Sequence, residues 1–90
     1  MLLISPAVGA LLDEFLAAAD EGQCIEAVTF RFIHEHGPAD AARIVEAALE
    51  AHVLREHQQR ILGCAGNIAV QAIAAGADPD QVLEATAAGL

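Results

Sequence analysis

The chain has 90 residues, of which 56% are hydrophobic, and a formal charge of −9 at pH 7. A domain this small buries only about 60% of the surface its unfolded chain exposes. That much apolar material therefore exceeds what one small core needs, and association between chains is expected. The acidic balance argues against phosphate backbones and anionic lipid as direct partners, so neither nucleic acid nor membrane binding is expected.

Ser5-Pro6 has the form of a helix start, with Ser5 as N-cap and Pro6 at the first helical position. Val8, Leu11, Leu12, Phe15 and Leu16 then form one apolar stripe, and Gly22 marks its end, which predicts a first helix over about 6–20. Residues 23–36, QCIEAVTFRFIHEH, alternate like a strand at VTFRFI, yet Ile25, Val28, Phe32 and His36 fit a helical face equally well. A lone strand would have nothing to pair with, so a second helix is expected, ended by Gly37-Pro38.

The stretch from Asp40 to about Gly76 contains no proline and carries the longest pattern in the chain. Ile44, Ala47, Ala51, Leu54, Gln58, Ile61, Ala65, Ile68, Ala72 and Ala75 recur at steps of three and four, as in a coiled-coil seam with one polar position. The predicted element is one long helix over 40–76, with a break at Gly63–Gly66 as the alternative; unbroken it would be roughly 55 Å long. The rest of the chain is too short to cover such a rod. An antiparallel homodimer through the seam is therefore expected, with Leu54 facing Ala65, Ala51 facing Ile68 and Ile44 facing Ala75 of a second copy. Asp78, Pro79 and Gln81 provide cap, first-turn proline and capping-box partner for a last helix over 79–88. The fold class expected is all-α, a small helical bundle in a single domain.

Few residues suit chemistry. Hydroxyl side chains are limited to Ser5, Thr29 and Thr86, tyrosine and lysine are absent, and GCAG at Gly63 lacks the lysine and preceding strand of a phosphate loop. His34 and His36 are two apart, His52 and His57 five apart, and neither spacing presents two imidazoles of one helix to one ion. His52, Glu56 and Arg60 follow at four-residue steps, as a solvated ladder of charge pairs does. No catalytic, cofactor or metal site is expected. Cys24 and Cys64 read as two buried thiols of a reducing cytoplasm. The opening MLLISPAVGALLDEF lacks a basic n-region and is interrupted by Pro6, so it is not read as a signal peptide. The longest uncharged apolar run, Ile61 to Ala77, carries Asn67, Gln71 and three glycines.

Two functions follow as expectations. The first is a cytoplasmic protein–protein interaction module, an adaptor, assembly or regulatory protein that acts as a homodimer and docks a larger protein. The second is an acidic inhibitor of the anti-restriction or anti-CRISPR type, which blocks a nucleic-acid-binding enzyme by presenting carboxylates where phosphates would sit. Its candidate acidic face is Asp13, Glu14, Asp20, Glu21 and Glu26, with Asp78, Asp80 and Glu84 at the other end.

Overall fold

A computed structural model describes residues 7–89 and contains helices without any strand among them. In chain order these are α1 (Val8–Asp20), α2 (Ile25–His36), a 3-10 turn (Pro38–Asp40), α3 (Ala41–Leu54), α4 (Glu56–Ile61), α5 (Ile68–Ala74) and α6 (Pro79–Gly89). The expected Ser5 cap and Pro6 start lie outside the described residues.

The segment that read equally as strand or helix is α2. Ile25, Val28, Thr29, Phe32 and Ile33 are buried, the spacing of one helical face, and the Thr29 hydroxyl donates back to the Ile25 carbonyl at 2.8 Å. Phe32 meets Phe15 of α1 with ring centroids 5.1 Å apart and planes tilted by 55°, an edge-biased geometry that aromatic pairs favour. The last helix begins as its sequence indicates: Asp78 Oδ1 accepts the Asp80 N–H at 2.8 Å. Asp40, at the N-cap position of α3, makes no such bond and instead faces Arg43 at 3.6 Å, because the 3-10 turn leads the chain into α3.

The stretch 40–76, expected as one long helix, is divided into α3, α4 and α5. Two causes differ in kind. At Gly63 the break is local. The Gly63 N–H reaches Arg60 O at 3.0 Å and the Cys64 N–H reaches Gln59 O at 3.1 Å, a Schellman closure that requires the left-handed backbone of Gly63, at φ 78°. The same bond pattern ends α1 at Gly22 and α5 at Gly76. At Arg55, φ −122° and ψ 22°, neither glycine nor proline is present. There the turn is held by tertiary bonds, Arg55 to Asp20 at 3.0 Å and Gln59 to the segment between α1 and α2.

The division folds the seam inward. Ile44, Ala47, Ala51, Ile68 and Ala72 are buried within the protomer, whereas Leu54, Ile61 and Ala65 are exposed and Gln58 and Ala75 are half-buried. α3 is the central element and packs on α1, α2, α5 and α6. Four of its six buried residues are alanines, so the neighbouring backbones approach closely on several sides. The small side chains thus serve packing inside one chain. An antiparallel pairing along the whole seam would have to displace these contacts. The radius of gyration, 12.0 Å, is that of a packed chain of this length and not of a rod.

Gly63→Ala distinguishes the broken stretch from a continuous helix by sign. Alanine at a left-handed position destabilises by about 1–2 kcal/mol, whereas alanine replacing glycine inside a helix stabilises by about 1 kcal/mol. A urea titration of the variant is expected to show the loss.

Candidate functional site

The helix-ending glycines set up the one place where polar chemistry is concentrated. Beyond Gly22 the chain turns and presents Cys24 as the N-cap residue of α2, its carbonyl accepting the Ala27 and Val28 N–H groups at 3.1 and 3.2 Å. Beyond Gly63 it presents Cys64. The two cysteines, 40 positions apart, meet with Cα atoms at 5.5 Å and form a disulfide. This corrects the expectation of two separate thiols: the loop after α1 and the loop after α4 are brought to the same point by the turn at Arg55.

The sulfur atoms are not what alone holds these loops. Gln59 of α4 is 1% exposed and uses both ends of its amide on the residues flanking Cys24. Its Oε1 accepts the Ile25 N–H at 2.8 Å, and its Nε2 donates to the Gln23 carbonyl at 2.9 Å. Glu26, in the first turn of α2, clamps the other loop: its Oε2 accepts the Gly66 N–H at 2.7 Å. Gly66 has φ 71°, and a Cβ placed there would lie 3.3 Å from Cε1 of His52, so the residue is required both for its backbone and for the room it leaves.

Glu26 is 7% exposed, and its second oxygen, Oε1, is buried with no hydrogen-bond partner among the described residues. A carboxylate oxygen left in this way is unfavourable unless something else meets it. A carboxylate oxygen of Glu26 and the sulfurs of Cys24 and Cys64 all lie within 4.8 Å of one another. Beside them a cleft of about 250 Å³ is lined by His52, Glu56, Gln59, Arg60, Cys64 and the backbone turn at Ala65–Gly66. Nδ1 of His52 is buried without a hydrogen-bond partner among the described residues.

Several expected residues fall elsewhere. Asp13, Glu14 and Glu21 are exposed, but Asp20 is engaged by Arg55, and Glu26 is removed from any acidic face because Gly66 and the cysteines enclose it. His34 and His36 are exposed on α2 against Phe30 and Phe32, and His57 is exposed on α4. The expected ladder is present in part, with Arg60 on Glu56 at 2.8 Å, and its third member, His52, is half-buried at the cleft instead of solvated. Gln58, the polar position of the seam, is half-buried, with Oε1 unpartnered among the described residues; the bridging amide is its neighbour Gln59. No family model, curated protein or solved structure matches the chain.

Two stability effects follow. Opening the cross-link by Cys24→Ser with Cys64→Ser frees a 40-residue separation in the unfolded chain, and a loss of about 2–4 kcal/mol is expected in urea titrations. Gln59→Leu leaves the buried Ile25 N–H and the Gln23 carbonyl without partners. It is expected to destabilise by about 2–6 kcal/mol, at roughly 1–3 kcal/mol for each orphaned group, in the oxidised protein as well as the reduced one.

Proposed function

We propose that this chain is a small acidic helical interaction module, an adaptor, assembly or regulatory protein that self-associates and docks a larger protein. The observation that supports it is where apolar side chains remain outside the core. Leu54 is 54% exposed and Val53 59% at the end of α3, and Ile61 is 72% exposed at the end of α4. Apolar side chains this exposed at the breaks of the seam are unfavourable in water and favourable beneath a second surface. A second copy bringing the same ends together buries them pairwise, as an isologous contact does.

The measurement is mass in solution by light scattering at tens of micromolar. The expected value is twice the chain's 9.3 kDa, and Leu54→Glu with Ile61→Glu is expected to return a monomer of unchanged helix content. A well-folded wild-type monomer at that concentration removes the homodimer from the proposal.

The second reading is the acidic inhibitor, supported by the exposure of Asp13, Glu14 and Glu21 at one end and Asp78, Asp80 and Glu84 at the other. Binding to a nucleic-acid enzyme that weakens steeply between low and high salt would favour it, since exposed charges are screened. No helix among the described residues is long and apolar enough to cross a membrane. The compartment we propose is the cytoplasm, where a disulfide is at home only if it opens and closes; a standing cross-link belongs to an oxidising compartment.

A further inference from the structure

We propose that Cys24 and Cys64 form a reversible thiol–disulfide exchange site, in which small or peptide thiols attack Cys64 through the cleft and Glu26 Oε1 receives the proton of the Cys24 thiol. The inference is independent of the docking role above and gives the chain a chemistry that its sequence does not advertise.

Three observations carry it. First, the loops bearing the two sulfurs are held together by bonds that do not involve sulfur: Gln59 binds both neighbours of Cys24, Glu26 binds Gly66, and the Cys64 N–H binds Gln59 O. Reduction therefore leaves two thiols facing each other, ready to reclose. Second, Glu26 Oε1 is buried without a hydrogen-bond partner among the described residues, and a carboxylate oxygen of Glu26 lies within 4.8 Å of both sulfurs of the disulfide. A disulfide has no proton to offer it, whereas a thiol is a donor. The carboxylate is matched to the reduced state. Third, the two sulfurs differ in access. Cys64 lines the cleft with His52, Glu56 and Arg60, and Cys24 does not.

Cys24 in turn caps the N-terminus of the twelve-residue α2, where backbone N–H groups favour a thiolate and so a good leaving group.

The exchange balances as follows. A thiolate RS⁻ attacks Sγ of Cys64, the R–S–Cys64 bond forms, and the Cys24–Cys64 bond breaks with its electron pair on Cys24. Cys24 takes up the proton that the incoming thiol lost and donates it in a hydrogen bond to Glu26 Oε1. Resolution in the oxidising direction reverses this: Cys24 passes its proton to Glu26 Oε1, its thiolate attacks Sγ of Cys64, and RS⁻ departs and takes up that proton as RSH. In the reducing direction a second RS⁻ attacks the R–S sulfur, releasing RSSR and the Cys64 thiolate, which is protonated. The sum is one protein disulfide and two RSH giving one protein dithiol and RSSR.

The test uses the full chain with glutathione as probe. The wild type is expected to equilibrate reversibly in native buffer, and the mixed disulfide trapped by acid quench should map to Cys64 in peptide masses. Cys24→Ser, which leaves Cys64 accessible, is expected to form the mixed disulfide with oxidised glutathione at least tenfold faster than Cys64→Ser. Glu26→Gln keeps an oxygen for the Gly66 N–H, and is expected to slow reclosure about tenfold and to alter its pH profile, with Glu26→Asp partly restoring both. The profile is read with His52, Glu56 and Arg60 unchanged, since these are the other charged or titratable groups facing the cleft. A wild-type disulfide that glutathione opens only after denaturant unfolds the protein overturns the proposal. So does trapping at Cys24, or a Glu26→Gln profile superimposable on the wild type. Should a serine variant fail to fold, the peptide map of the wild type decides the attacked sulfur alone.

Discussion

The amide of Gln59 is the joint on which the rest of the molecule turns. A buried side-chain amide is tolerated only when its donor and acceptor ends are satisfied, and here the oxygen and one N–H of the nitrogen are spent on backbone either side of Cys24. To reach that position α4 must swing away from the line of α3 at Arg55. The swing in turn brings Cys64 to Cys24 and Gly66 to Glu26. One polar contact therefore sets the bend in the middle of the chain, the covalent link and the enclosure of a carboxylate.

Around this joint the packing is plain. α3 offers alanines on the faces it shares with α1, α2, α5 and α6, and the larger side chains of those helices, Phe15, Leu11, Ile25, Ile33, Ile68 and Val82, fill the space they leave. The exposed ion pairs, Arg31 with Glu35 and Arg60 with Glu56, contribute little beside this. The structure is strong in backbone closure and apolar contact, and its polar interior is confined to one end.

What could be read from the sequence follows from how local each signal is. α1 and α2 were legible because an apolar stripe and a stop at Gly22 or Gly37 are written into adjacent residues, and α6 because Asp78 and Pro79 mark its start. Of the seam from Ile44 to Ala75, Ile44, Ala47, Ala51, Ile68 and Ala72 are buried within the chain; a three-four spacing says that a face is covered and not by which molecule. Because α3 and α5 both turn that face to the same core, the phase survives the breaks and hides them. The bend at Arg55 leaves no local mark, since its cause lies thirty or more residues earlier, at Asp20, Gln23 and Ile25. The site was missed for the same reason. Cys24 and Cys64 each closely follow a helix-ending glycine, a shared signal that was available, but nothing in the spacing of two cysteines states that their loops coincide.

The cross-link also gives the chain an unusual covalent outline. Residues between Cys24 and Cys64, which hold α2, α3 and α4, form a closed ring, while α1 on one side and α5 with α6 on the other are open tails laid against it. A single peptide-bond scission within the ring, as at the turn Pro38–Asp40, leaves every atom of the molecule still covalently attached. A scission before Pro79 instead frees α6, and the central α3 loses one of its covers. Oxidised, the protein is therefore armoured in its middle and vulnerable at its ends; reduced, that distinction disappears.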